Sequence, residues 1–296
     1  ALVIKENGWR MSMATATIVP LVCFVCVIVV LQLRTTPSRK KELEEVPSPT
    51  PDLKPPGVIE QLAIVSRVRT NFFLAIYSVF AFVPLLAFAS LWSVPFIVQV
   101  GEVDQAAAGV MASFFLFGLG LGAPSSGAIS DRFKGRKRTI LLAGLSLSCV
   151  SMMLLVLFVG NHFLSYLLMF TGGVGQGPAQ VMVFFLCRER NPANSAAAGI
   201  SIVNTGALIA GAAFQPIIGA CLDIGWDGSK GVNGERLWEK EHMRTVIGLI
   251  LFLCYATAAA IIYFLVPADL AETEEVVVEI PGLTEERSAP MVPRTI

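Results

Sequence analysis

Charge is what this sequence has least of. Only 15% of its 296 residues are Asp, Glu, Lys or Arg, against about 25% in soluble domains. That shortage excludes a chain wrapped around one aqueous core. The hydrophobic share of 54% and a mean hydropathy of +0.69 make a bilayer the natural solvent. Neither sign is in excess, and the formal net charge is zero. The basic footprint of a nucleic-acid binder is therefore missing, and no nucleic-acid partner is expected. Polar metal-ligand sets are also missing. The six cysteines (Cys23, Cys26, Cys149, Cys187, Cys221, Cys254) lie in or beside apolar runs. Cys23 and Cys26 form a C-x-x-C inside TIVPLVCFVCVIVVLQL. Redox chemistry or zinc binding needs polar access and further ligands, so these thiols read as small apolar fillers. No metal site, no cofactor and no nucleophile–base pair of an enzyme is expected.

Long apolar runs are abundant. A helix needs about 20 apolar residues to cross the hydrocarbon, and seven stretches qualify: 12–33, 71–99, 105–129, 139–159, 163–187, 196–222 and 245–266. The first exceeds the apolar core of a signal peptide. The pattern predicts an all-α, polytopic membrane protein. None of the seven carries an Asp, Glu, Lys, Arg or His at mid-span. Proton relays use such residues, so proton coupling through these helices is not expected.

The charges that do occur are concentrated. GAISDRFKGRKRT, residues 127–139, packs Arg132, Lys134, Arg136, Lys137, Arg138 and one anion, Asp131, between two apolar runs. Cytoplasmic loops are enriched in Lys and Arg. Residues 34–69 and the turn holding Arg188 and Arg190 are basic as well, and all three connections alternate along the chain. The predicted topology has the N-terminus outside and the C-terminus cytoplasmic. On the other side, 223–244 carries Lys230, Arg236, Lys240 and Arg244 but balances them with five carboxylates. Residues 34–56 are rich in Pro and in both charges, as linkers are. GVIEQLAIVSRVR after them suits an amphipathic surface helix. The acidic residues 268–296 read as a disordered tail. The expected layout is an outer loop and helix at 1–33, a cytoplasmic linker at 34–69, a six-helix bundle at 70–267 and a cytoplasmic tail at 268–296.

Gly127, Asp131, Arg132, Gly135 and Arg136, with Lys137 and Arg138 after them, resemble the G-x-x-x-D-R-x-G-R-R signature of the major facilitator superfamily. One extra residue separates Arg132 from Gly135. GWR at 8–10, RERNP at 188–192 and FQPIIGACLD at 214–223 fit the same picture, and the 34–69 segment resembles that family's central loop. The resemblance covers about 9–266. It implies that the spans are helices 6 to 12 of twelve, with the N-terminal half, helices 1–5, as a missing partner. It also implies a six-helix half of two inverted three-helix repeats plus one preceding helix. The implied activity is secondary transport of a small organic solute, such as an amino acid, sugar or short peptide, by alternating access. The partners would be that small-molecule substrate and the lipid bilayer. In the family the signature's aspartate and arginines form a cytoplasmic charge network that holds the inward gate closed. The matching residues are Asp131, Arg132 and Arg136, with Glu189 as a further member. Anchoring by positive charge alone needs no aspartate. The alternative from another class is a seven-helix membrane receptor, which shares the span count and orientation.

Uncharged polar residues inside the spans are the substrate-cavity candidates: Tyr77, Gln176, Gln180, Asn204 and Gln215. Gln176 and Gln180 share a helix face. Asn204 and Gln215 lie about three turns apart on another helix. Such groups either line a cavity or hydrogen-bond between helices, and the residues alone leave both readings open. Ser113 fits the second. Gly118 with Gly122, and Gly173 with Gly177, have the small-xxx-small spacing of close helix packing. Pro178 removes a backbone donor and bends its helix. Trp92 and Pro95 read as an interface anchor or as a wall of the cavity's mouth.

Overall fold

In the computed structural model the described residues are 57–133, 136–231 and 234–266, with helical positions at 14, 17–18, 20–22 and 24–29. The chain divides at Pro56/Gly57 into two units. The first contains the apolar helical segment Pro20–Val29. Residues 34–56 of the expected 34–69 linker and the tail at 268–296 lie outside the described residues, as do the ends of the first expected span.

The second unit is a helical bundle, with no strand among the described residues. Helix α1 (Val58–Arg67) ends where Val68 turns extended (φ −78°, ψ 97°), and α2 (Arg69–Ala81) follows at once. A π-helical stretch, Pro84–Trp92, then leads into α3 (Ser93–Gly101). These three pieces make one 33-residue span, Arg69–Gly101. Proline brings no backbone donor, and beyond Pro84 the amides of Leu85 and Leu86 both turn to the carbonyl of Phe82, at 3.2 and 2.8 Å. The ladder slips there, and the carbonyl of Ala81 is met by a side chain instead, as described below.

Glu102 adopts a left-handed conformation (φ 54°) and stops α3. Asp104 caps α4 (Gln105–Arg132) through the Ala106 amide, 2.9 Å away. Helix α5 is Lys137–Phe158. Asn161 caps α6 (His162–Glu189) through the Leu164 amide at 3.1 Å. Helix α7 is Ala196–Ile224, and α8 (Lys240–Ala260) closes in a π-helical turn, Ile261–Leu265. Helices α2 to α8 fall on the last six apolar runs of the sequence.

Five of the spans are long and apolar enough to cross a membrane. Helix α6, 28 residues long, is not among them, and its position explains why it is less apolar. It is wrapped by protein, with Gly172, Gly173 and the run from Gly175 to Ala179 all buried. A helix that faces other helices has no need of lipid-soluble side chains. What α6 needs is close approach, and glycine provides it. A β-carbon on Gly118 would run into the Phe170 carbonyl, and one on Gly173 into that of Phe115. One on Gly122 would meet the carbonyl of Val174, and one on Gly177 the amide of Ala123. On the opposite side, a β-carbon on either Gly144 of α5 or Gly175 of α6 would stand 2.6 Å from the other's carbonyl oxygen. So α4, α6 and α5 pack backbone to backbone. Gly206 of α7 approaches the Ala75 carbonyl of α2 in the same way.

The connections sort to two ends. One end holds the 67–69, 133–136 and 190–195 turns and the end of α8; most of its charges are cations. The other end holds 102–104, 159–161 and 225–239 and is mostly acidic.

Candidate functional site

Gln176 is fully buried at the centre of the bundle. Its Nε2 donates to the carbonyl of Ala81, 2.7 Å away, the acceptor left over beside the Pro84 break. Its Oε1 accepts from the Ser148 hydroxyl at 3.2 Å. Ser148 has one proton and gives it to Gln176, so the 2.7 Å contact between Ser148 Oγ and the Tyr255 hydroxyl has tyrosine as the donor. The result is a directed chain, Tyr255 to Ser148 to Gln176 to the Ala81 carbonyl, joining α8, α5, α6 and α2. Tyr77, also fully buried, donates its hydroxyl to the Ala179 carbonyl of α6 at 2.8 Å. All of these groups are neutral, and all are satisfied.

One turn further along α6, Gln180 is different. Its Nε2 is buried and has no hydrogen-bond partner. A buried donor without an acceptor is destabilising by about 1–3 kcal/mol. Among the described residues, Gln180 is thus the one cavity candidate with a buried polar atom left unpaired.

Gln215 is half-buried on α7 and straps the π-helical stretch. Its Nε2 donates to the Leu86 carbonyl at 2.8 Å and lies 3.4 Å from Ser90 Oγ. Its own carbonyl accepts from Trp92 Nε1 at 3.1 Å. Asn204, on the same stripe of α7, is exposed. The structure therefore joins Tyr77 and Gln176 in one α2–α6 interface, sets Gln180 beside them, gives Gln215 to the π-helical stretch and leaves Asn204 apart. Ser113 bonds only its own helix, to the Gly109 carbonyl at 2.9 Å.

At the basic end, Asp131, Arg132 and Arg136 are all exposed, and among the described residues no ion pair joins them. Glu189 pairs with Lys137, tying the end of α6 to the start of α5. Arg138 donates to the Tyr263 carbonyl and lies 5.7 Å from that ring, tying α5 to the end of α8. Asn71 and Asn191 exchange amide hydrogen bonds of 2.7 and 2.8 Å. Asn71 also donates to the Val65 carbonyl at 2.9 Å, and Asn191 to that of Cys187 at 2.7 Å. Both asparagines are buried, so this pair fastens the α1–α2 corner to the α6–α7 turn. Arg190 is buried next to it. Burial lowers its guanidinium from the ordinary value, and the neighbouring Glu189 carboxylate opposes that shift.

Ser148, Tyr255, Asn71, Asn191 and Lys137 are the contributors that sequence reasoning passed over. Asn191 stood in the quoted RERNP, and Lys137 in the basic turn. The signal for Ser148 and Tyr255 was only their polarity within an apolar run.

Membrane-length helices packed around a buried, neutral polar seam define a polytopic membrane protein. The family model of the Major Facilitator Superfamily matches residues 1–215 and, in a second alignment, 85–280. The chain belongs to the Major Facilitator Superfamily and is, in general kind, a secondary membrane transporter. No curated protein matches it.

Proposed function

We propose that the 57–266 bundle forms one wall of the path of a small organic solute, such as an amino acid, sugar or short peptide, moved by alternating access. The observation that carries this reading is the open donor of Gln180, set one turn from the Gln176 seam. A solute carbonyl, carboxylate or hydroxyl oxygen would satisfy it, and the gain would exist only while solute is bound. Tyr77 and Gln176 hold the wall rather than touch the solute, because their hydrogen bonds are already spent within the protein.

The basic end is cytoplasmic in this reading, by the distribution of cations. Lys137 and Glu189 fix α5 to α6 there. Asp131, Arg132 and Arg136 remain exposed and form the gate surface, ready to pair in one arrangement of the transporter and to part in the other. A two-state element needs a bias of only a few kcal/mol.

The test is uptake by proteoliposomes of labelled neutral amino acids, sugars and dipeptides, with and without a pH gradient. Saturable uptake, insensitive to the gradient and weakened by Gln180→Leu, is expected. Absence of uptake for every solute class, or full uptake in Gln180→Leu, would defeat the reading.

A further inference from the structure

Two cavities of about 290 and 550 Å³ open at the acidic end. Both are lined by Pro95, Gln99 and Glu235, so they adjoin under the 225–239 connection. Trp92 and Trp238 wall the smaller one. Their rings meet edge to face, 5.8 Å between centroids at 63°.

The ring pair is held in place from several sides. Trp92 is anchored by its bond to the Gln215 carbonyl. Gln99 accepts from the Trp238 amide at 3.1 Å and donates to the Arg236 carbonyl at 3.2 Å. Trp238 Nε1 reaches Asp223 Oδ1 at 3.4 Å. Arg236, which also lines the smaller cavity, pairs with Asp223 and lies 4.8 Å from the Trp226 ring. Glu235 lines both cavities, with its carboxylate turned toward Gly231.

The surroundings carry an excess of negative charge. In sequence, the connections 102–104, 159–161 and 223–244 hold seven carboxylates and four cations. An excess of one sign of charge around a concave mouth concentrates ions of the other. The faces of indole rings attract cations, and ammonium ions most familiarly.

We propose that this cavity binds a small organic ammonium ion, and that the solutes this transporter accepts carry such a group. The inference rests on the transport reading above and narrows it. The ammonium docks against Trp92 and Trp238, with Glu235 at the rim. The site then acts as the first station at the acidic mouth, before the solute reaches Gln180.

The test is binding of radiolabelled choline to the full chain in maltoside micelles, which keep lipid ammonium groups out. The competitor is 3,3-dimethylbutan-1-ol, the uncharged carbon isostere of choline. Saturable choline binding is expected, with the isostere weaker by about tenfold or more, as a lost cation–π contact of this kind implies. Binding should also weaken as salt is raised. Trp238→Leu and Glu235→Gln should each lower affinity several-fold. Glu235 sits on an exposed connection, so its variant reports on binding even if loss of the Trp238 ring disturbs folding. Failure of choline to bind, equal competition by the isostere, or unchanged affinity in Glu235→Gln overturns the inference. Neutral-solute uptake that persists without choline binding removes this inference alone. Choline binding without transport of any solute removes the transport reading alone.

Discussion

Tyr77 and Gln176 reach across the α2–α6 interface in opposite directions. The Tyr77 hydroxyl donates to the Ala179 carbonyl at 2.8 Å, and the Gln176 amide donates to the Ala81 carbonyl at 2.7 Å. Each helix gives one side-chain donor and one backbone acceptor, so the two form a reciprocal clamp. Tyr77→Phe should cost about 1 kcal/mol, the worth of one hydrogen bond. Gln176→Leu should cost about 1–3 kcal/mol, because it strands the Ala81 carbonyl and takes the acceptor from Ser148. The double variant should fall short of the sum, since both act on one interface. Thermal unfolding in detergent measures all three, and strict additivity would mean that the two bonds act separately.

Gly120 and Gly122 lie two residues apart on α4 and should respond oppositely to alanine. Nothing stands within 4 Å of a β-carbon at Gly120, and the better helix former should leave stability level or raise it by up to about 1 kcal/mol. At Gly122 the new carbon meets the backbone of Val174. Overpacking there should destabilise by about 1–3 kcal/mol. Melting temperatures of the two variants check the contrast.

Glu189→Gln and Asp131→Asn separate the two roles of the basic end. The Lys137–Glu189 pair is partly exposed, and such pairs contribute about 0–1 kcal/mol. Its loss should barely move the melt. Asp131→Asn should reduce uptake while membrane insertion and melting stay unchanged. Full uptake in that variant takes Asp131 out of the proposed gate.

Acid should loosen the acidic end first. The Lys240 ammonium, by hydrogen bond and charge, holds Glu102 below its ordinary 4.5. Hydrogen bonds from Ser229 hold Asp227 below its ordinary 3.8. Both are carboxylates with lowered folded values, so their stabilisation is complete above the ordinary values. It is lost as pH falls through the lowered ones. Tryptophan fluorescence should therefore report a change at the 225–239 connection below about pH 4. In Asp227→Asn that change should be smaller. An identical acid transition in the variant would assign it elsewhere.

The membrane helices were legible in the sequence because lipid imposes a long, nearly chargeless run on each of them. The glycine contacts between α4 and α6 were legible for a related reason: small residues at four-residue spacing have few uses other than close packing. The polar seam was not. Which carbonyl Gln176 meets depends on where Pro84 disrupts the ladder and on how α6 sits against α2, and neither is local. The same holds for Trp92 and Trp238, far apart in the chain yet in edge-to-face contact. At the basic end the sequence pointed to a cluster of charge. It did not show that Glu189 takes Lys137, because a helix start and a helix end must first be brought side by side.

The glycine seam through α4, α6 and α5 has a mechanical consequence. Side-chain contacts can trade rotamers and let helices slip, but backbone pressed on backbone has nothing to trade. Such packing resists sliding of the three helices against one another, and they form a slab. The span from Arg69 to Gly101 meets that slab through side-chain hydrogen bonds, and its own ladder is interrupted at Pro84. The transport reading therefore puts relative motion between the slab and the helix interrupted at Pro84.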